Sequence, residues 1–197
     1  MKRNQFRNLL LEAAEVTTSN IAALNRDSQG KVRLDDEFEY EATYKAHLYH
    51  TLLDMGVSYK NLKLEMMPNR EKLSGKHIDL WFEPNNGGYS YLIEVKQVFR
   101  LNPKRDNVGD TDLRVFQNGE LKSGIVADVI KLTEACKSDK DMYGVMLMTW
   151  SDSRTQDNLE LQSVKEKIYD IGWDFNLRNN IRRIELLWSS EKRTEYL

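Results

Sequence analysis

The segment 77–97, HIDLWFEPNNGGYSYLIEVKQ, constrains the fold more than any other part of the chain. Two short apolar runs flank a cluster of Pro, Asn and Gly residues, and this pattern predicts a β-hairpin. Asn86-Gly87 is the strongest two-residue turn signal, because both central residues of such a turn have positive φ. Both runs also contain charged residues, although buried charges are unfavourable in a sheet. These charges therefore need a reason other than packing.

The second predicted strand divides its residues between two faces, because successive side chains of a strand point to opposite sides. Tyr91, Ile93 and Val95 form an apolar face that can be buried, and Glu94 and Lys96 share the other face. In the first strand, the same alternation places Ile78, Leu80 and Phe82 on one face and Asp79 on the other.

A turn at Asn86-Gly87 also fixes which residues of the two strands lie opposite each other. The expected pairs are Glu83–Ser90, Trp81–Leu92, Asp79–Glu94 and His77–Lys96. A four-residue loop, 85–88, gives the same register, whereas an odd loop or a bulge shifts it by one residue. Opposed side chains have Cβ atoms about 4.5–5.5 Å apart, and like charges at this distance are destabilising. A positive charge is therefore expected between Asp79 and Glu94.

A divalent cation satisfies this expectation better than a lysine, and carboxylate oxygens are ligands that suit Mg²⁺. Glu41, on the inner part of the preceding predicted helix, is a candidate for a further carboxylate. The alternative is that Glu94 and Lys96 are solvated neighbours on an exposed strand face. The apolar neighbours and the opposed Asp79 favour a metal-dependent site for phosphoryl chemistry.

The composition is that of an ordinary globular chain, with 40% apolar and 30% charged residues in 197 and a net charge of −2. One domain is the simplest expectation at this length. The single cysteine, Cys136, excludes an intramolecular disulfide framework and a cysteine-based zinc site. No apolar run approaches the length of a membrane span, and no signal peptide is evident. We therefore expect a cytoplasmic protein without a membrane partner.

Hydrophobic periodicity and turn residues predict helices and strands that form a mixed sheet with helices packed on it. Asp35 and Asp36 suit the start of the second helix, and Gly56 suits its C-cap. The predicted helices are 5–24, 35–55, 124–137 and 157–171; the predicted strands are 62–67, the two strands of the hairpin, 142–150 and 181–188. Residues 25–31 are predicted to be a linker, and the polar stretch 99–123 a loop.

Three segments carry a recognisable motif: EYEATYKAH (39–47), KHIDLWF (76–82) and YLIEVKQ (91–97). A helix acid, then an aspartate in a hairpin, then a Glu-X-Lys strand resembles the PD-(D/E)XK nuclease superfamily, which includes many restriction endonucleases and DNA-repair nucleases. His77-Ile78 stands where the family motif has a proline before the aspartate. Many members of the family also lack this proline. The resemblance implies an α/β fold with a restriction-endonuclease-like core, a central mixed sheet flanked by helices. Residues 31–197 would form this domain, and residues 1–30 an N-terminal helical extension.

The resemblance also implies a role for each matching residue. Asp79 and Glu94 would bind Mg²⁺, which Mn²⁺ could replace, with the backbone carbonyl of Val95 as a further ligand. Lys96 would orient or deprotonate the attacking water and stabilise the developing charge on the phosphate. Glu41 would be an outer or second-metal ligand. The metal would polarise the phosphate and generate hydroxide near neutral pH.

Weaker expectations concern contacts with nucleic acid. Gln97 follows the catalytic lysine, and a basic stretch with Arg100, Lys104 and Arg105 follows in turn. These residues could contact the backbone of DNA, or they could belong to a solvated loop.

The first hypothesis is thus a Mg²⁺-dependent endonuclease that cleaves double-stranded DNA, with a restriction enzyme as the leading subtype. Such enzymes are often compact chains that dimerise to cut both strands, so a homodimer is expected, with the N-terminal helix as a candidate interface. A repair, recombination or phage nuclease is close behind. The alternatives are a nuclease-like module that binds nucleic acid or protein without cutting, and an α/β domain whose acids are merely solvated.

Overall fold

Within the described residues, six strands form one mixed β-sheet, and the helices pack against it. The computed structural model describes residues 3–24, 40–66, 77–85, 87–98, 125–136, 139, 141–150, 173–178 and 184–189. The elements are α1 (Arg3–Leu24), α2 (Tyr40–Asp54), β1 (Leu62–Met66), β2 (Ile78–Phe82), β3 (Ser90–Val98), α3 (Ile125–Cys136), β4 (Met142–Trp150), β5 (Trp173–Arg178) and β6 (Ile184–Ser189).

The strand order in the sheet is β1-β2-β3-β4-β6-β5. Strands β3 and β4 are parallel, whereas the other neighbouring strands are antiparallel. A parallel pair needs a crossover connection, and α3 lies in the chain between β3 and β4. The chain is therefore an α/β protein with a mixed sheet, as the sequence predicts.

The sequence predicts α1, α2, α3 and strands β1 to β4 and β6 to within a few residues at their described ends. Strand β5 was not predicted, although WDFNLR alternates strictly between apolar and polar residues, the pattern of a half-buried strand. The predicted linker, the start of the second helix, the loop 99–123 and the helix 157–171 lie outside the described residues.

The predicted C-cap of α2 is confirmed. Gly56 has a φ of +92°, which is strained for residues with a Cβ. Its amide donates to the carbonyl of Leu53 at 2.9 Å, and the amide of Val57 donates to the carbonyl of Leu52 at 3.0 Å. These bonds satisfy carbonyl groups that the end of a helix otherwise leaves unpaired.

The predicted register of the hairpin is also confirmed, since Trp81 pairs with Leu92 and Leu80 pairs with Ile93. Gly87 and Gly88 both have positive φ, as a tight turn requires, whereas Asn86 lies outside the described residues. Regular pairing stops at Leu80, so the predicted pairs Asp79–Glu94 and His77–Lys96 are not part of the observed ladder. Beyond it, the amide of Val95 donates to the side chain of Asp79 at 2.8 Å.

One prediction about the hairpin is wrong. Ile78 does not share a core with Leu80 and Phe82; it packs in a second apolar cluster with residues of α3 and β4, whereas Leu80 and Phe82 belong to the cluster with α1 and α2. Strict alternation applies only to a regular strand, and β2 loses its regular pairing with β3 at this point. The first strand of the hairpin therefore departs from regular pairing with β3 at Asp79, and Ile78 packs against different residues from Leu80 and Phe82.

Helix α1 contributes directly to the core of the sheet. Most of its buried residues recur every three or four positions, which is the spacing of one helical face; the buried residues are Phe6, Leu10, Leu11, Ala13, Ala14, Thr17, Thr18 and Ile21. The Phe6 ring stacks on Tyr91 of β3, with the centroids 4.0 Å apart. Tyr44 of α2 donates a hydrogen bond to the carbonyl of Ala14 at 3.0 Å. The apolar face of α1 is thus buried within the chain, and the homodimer stays a prediction.

On the other face of the sheet, α3 packs over β4. Gly144 permits this close approach, because a Cβ there would lie 2.9 Å from Cη2 of Trp173 and 3.0 Å from Cβ of Leu132. The indole of Trp173 donates to the hydroxyl of Thr133 at 2.9 Å. Within the described residues, no helix is both long and apolar enough to cross a membrane.

Candidate functional site

Asp79 is held by contacts from two neighbouring elements. Its Oδ2 accepts the hydrogen bond from the amide of Val95, and its Oδ1 accepts one from Nζ of Lys45 on α2 at 3.0 Å. The first contact replaces a backbone bond between the two strands of the hairpin. The carboxylate therefore lies where β2 and β3 separate, next to the charged face of β3.

Glu94 is the most deeply buried acid of the site, with 5% of its surface exposed. Nζ of Lys131 on α3 lies 2.7 Å from its Oε1, in a buried ion pair. Burial, together with the negative charges of Asp79 and Asp128, raises the pKa of Glu94 from 4.5 to about 8, although Lys131 acts in the opposite direction. The metal-free site thus resists a full negative charge at Glu94.

Lys96 projects between two acids from different helices. Its Nζ lies 3.7 Å from Oε2 of Glu41, in the first turn of α2, and 3.6 Å from Oδ2 of Asp128 on α3. Both distances exceed those of a direct charge-assisted hydrogen bond. The ammonium group is therefore positioned by long-range ion pairs, in a place where Glu94 and Lys96 share one face of β3.

Lys45 joins the site to the edge strand of the sheet. Its Nζ lies 3.0 Å from Oδ1 of Asp79 and 3.0 Å from Oε1 of Glu65 on β1. Burial lowers the pKa of Lys45, but the charge and hydrogen bond of Asp79, aided by Glu65, outweigh this effect and raise it. Glu65 has a φ of +47°, which is rare for a residue with a Cβ. An unusual backbone conformation thus lies beside the site.

Sequence reasoning missed Lys131 and Asp128, which both lie on α3. Lys131 lies 3.2 Å from Oδ1 of Asp128 and also donates to the carbonyl of His77 at 3.2 Å. Burial lowers the pKa of Lys131, whereas the charges of Glu94 and Asp128 raise it by more. The available signal was the i, i+3 spacing of an acid and a base next to the apolar stripe of an amphipathic helix. Lys45 gave a similar signal, as a lysine on the inward side of the second predicted helix.

The remaining predicted residues are described only in part. The backbone amide of Val95 contacts Asp79, and the proposed role of its carbonyl as a ligand stays a prediction. Gln97 belongs to β3, but its side chain lies outside the described residues, as do Arg100, Lys104 and Arg105. The structure thus brings together Asp79, Glu94, Lys96 and Glu41 from the predicted set.

The site contains more carboxylates than ammonium groups. Five acids (Glu41, Glu65, Asp79, Glu94 and Asp128) surround three lysines (Lys45, Lys96 and Lys131), an excess of two negative charges when all are ionised. This excess and the all-oxygen donor set suit a divalent cation such as Mg²⁺. The buried Oε1 of Glu94, which Nζ of Lys131 contacts at 2.7 Å, is a suitable ligand atom.

The arrangement of the side chains is nevertheless that of a closed network of ion pairs. In the described part of the chain, no three acids, histidines or cysteines converge closely enough to hold a metal ion. Lysine ammonium groups lie between the acids instead. The donors fit the metal chemically, and a metal would have to displace at least one lysine to reach them.

Comparisons with models of protein families, with curated proteins and with solved structures gave no match to this chain.

Proposed function

We propose that this chain is a Mg²⁺-dependent nuclease of the PD-(D/E)XK type, which hydrolyses phosphodiester bonds in double-stranded DNA. The observation that carries the proposal is the hairpin geometry. The register predicted for the motif is the register of β2 and β3, and it brings Asp79 close enough to Glu94 for its charge to raise the pKa of that acid. Lys96 shares the charged face of β3, and Glu41 approaches it from α2.

Each residue has a defined part in this proposal. Asp79 and Glu94 would hold the metal, with the carbonyl of Val95 as a further ligand and Glu41 as an outer ligand. When bound, the metal polarises the phosphate and lowers the pKa of a coordinated water. Lys96 contributes a positive charge beside the oxygens on which negative charge develops as water attacks phosphorus. The new bond joins the water oxygen to phosphorus, and the bond to the leaving ester oxygen breaks.

Cleavage of supercoiled plasmid DNA tests this proposal. The wild-type chain with Mg²⁺ or Mn²⁺ is expected to nick or linearise the plasmid, and Lys96→Ala is expected to lose at least about 100-fold in rate, as for other catalytic electrostatic groups. Lys63→Ala is the matched control. Lys63 belongs to the same sheet and pairs with Glu83 at 3.0 Å, so the variant also loses one ion-paired lysine. Equal cleavage by wild type and Lys96→Ala would contradict the proposal.

The ion pairs of the acids favour a second candidate, a module of the same fold that binds nucleic acid or protein without cutting it. Lys45 and Lys131 already neutralise Asp79 and Glu94 in the absence of metal. Calorimetric titration with Mg²⁺ separates the two functions. Binding at the millimolar level that is lost in Asp79→Asn supports the nuclease, whereas the absence of any binding supports the module.

A further inference from the structure

Lys131 has a set of partners that resembles the coordination of a bound cation. Its Nζ lies 2.7 Å from Oε1 of Glu94 and 3.2 Å from Oδ1 of Asp128, and it donates to the carbonyl of His77 at 3.2 Å. The three oxygens come from β3, from α3 and from the residue before β2. An ammonium group therefore occupies a position bounded by oxygens from three parts of the fold, next to the most buried acid of the site.

We propose that Lys131 is an internal competitor for the metal, and this inference rests on the proposed function. In the metal-free chain its ammonium group contacts the carboxylate of Glu94 and the two oxygens beside it. A divalent cation binds there only when the lysine leaves, and the two positive charges exclude each other because they share Glu94 as a partner. Lys131 thereby sets the metal concentration at which the site becomes occupied.

The structure favours Lys131 over the other two lysines for this role. Lys131 contacts Glu94 directly at 2.7 Å, whereas Lys45 contacts Asp79 and the exposed Glu65, and Lys96 lies beside Glu41 and Asp128. Lys131 extends from α3, whose apolar side is buried through Val129 and Leu132. The helix can therefore stay in place while the flexible four-carbon side chain moves away from Glu94.

Calorimetric titration of Mn²⁺ into the metal-free full-length chain provides the first test. Lys131→Gln is expected to bind Mn²⁺ about tenfold more tightly than wild type, a typical coupling between two mutually exclusive events. Lys63→Gln, which loses the exposed pair with Glu83, is expected to bind as wild type does. Equal or weaker binding by a folded Lys131→Gln overturns the inference.

Amine acetylation of the wild-type chain provides a second test that does not depend on the folding of a variant. The side chain of Lys131 is 15% exposed and held by its three oxygens. Saturating Mn²⁺ is expected to raise its acetylation rate several-fold, measured by mass spectrometry of peptides, while Lys63 serves as the internal reference. An unchanged rate for Lys131 at saturating Mn²⁺ overturns the inference.

The two proposals fail in different ways. If wild type binds Mn²⁺ and Asp79→Asn does not, but Lys131→Gln binds as wild type does, only the role of Lys131 is refuted. If neither wild type nor Lys131→Gln binds Mn²⁺ or Mg²⁺ at millimolar concentration, both the metal-dependent function and the competition are refuted.

Discussion

Glu94 links the stability of the metal-free chain to pH, because its carboxyl group is buried beside the negative charges of Asp79 and Asp128. Burial and these charges raise its pKa from 4.5 to about 8 in the folded chain. Between these two values the folded chain binds a proton that the unfolded chain releases. By linkage, the contribution of Glu94 to the free energy of unfolding decreases as pH rises through this window.

Glu94→Gln is therefore expected to flatten the pH dependence of stability. Glutamine resembles the protonated acid, so the variant should be similar to wild type near pH 5 and more stable than wild type near pH 9, by a few kcal/mol at most. Urea unfolding in buffers with a chelator, at several pH values, measures this difference. Glu83→Gln, which removes a more exposed acid on the same sheet, is the control and should follow the wild-type curve. A Glu94→Gln curve parallel to that of wild type would contradict the prediction.

The residues of the site differ in how well the sequence alone predicts them. Asp79, Glu94 and Lys96 could be predicted, because strand alternation and one turn relate them over a short stretch of chain. Lys131 and Asp128 could not, because their position depends on where α3 packs across the sheet. An i, i+3 acid–base pair is common on solvated helices, so it does not by itself identify a site.

At the level of an element, the hairpin shows which features the local sequence does not predict. The turn residues fixed its register correctly, but alternation failed at Ile78, where regular pairing of β2 with β3 has ended. The side chain of Asp79 accepts a hydrogen bond from the amide of Val95, where a regular ladder would have a backbone carbonyl as the acceptor. A tertiary contact of this kind replaces a ladder bond, and no periodic pattern predicts it.

Strand β1 contains a similar local departure, at Glu65, whose φ of +47° is left-handed. Such a conformation costs a residue with a Cβ about 1–2 kcal/mol, a cost that glycine avoids. We expect Glu65→Gly to be less destabilising than Lys63→Gly by about 1 kcal/mol. Urea unfolding of the two variants provides the comparison.

The two substitutions are matched in their ion pairs, although Lys63→Gly also removes the contact of the ammonium group with the Trp81 ring, whose centroid lies 4.5 Å from Nζ. Each removes one exposed or half-exposed partner of an ion pair with a 3.0 Å separation, Glu65 with Lys45 and Lys63 with Glu83. Pairs of this kind contribute little to stability in water. If Glu65→Gly is the more destabilising of the two, then either the left-handed conformation is not adopted or the contact with Lys45 is worth more than a surface pair.

In the described part of the molecule, β3 carries the main core on one face and the charged residues of the site on the other, and α2 contributes to both. Tyr91, Ile93 and Val95 of β3 pack with α1 and α2, whereas Glu94 and Lys96 meet acids and lysines of α2 and α3 on the other side. Strand β3 thus carries the core on one face and the chemistry on the other. The sequence predicted this division from alternation alone, but it did not predict that α1 completes the core.

A substitution of Phe6 tests whether the stability of the core and the metal affinity of the site are independent of each other. Its ring is fully buried and stacks on Tyr91 with an interplanar angle of 7°. Phe6→Ala is expected to lower the free energy of unfolding by about 3–5 kcal/mol, because the cost of the cavity adds to the cost of the lost apolar burial. Asn8→Ala, an exposed position on the same helix, should change it by less than about 0.5 kcal/mol.

At a temperature where Phe6→Ala remains folded, its affinity for Mn²⁺ is expected to equal that of wild type, since Phe6 contacts the face of β3 opposite to Glu94. Circular dichroism defines the folded range, and calorimetry within that range measures the affinity. A large loss of affinity without unfolding would show that the position of β3, and with it the spacing of Asp79 and Glu94, depends on the packing of α1. The N-terminal helix would then be part of the machinery of the site.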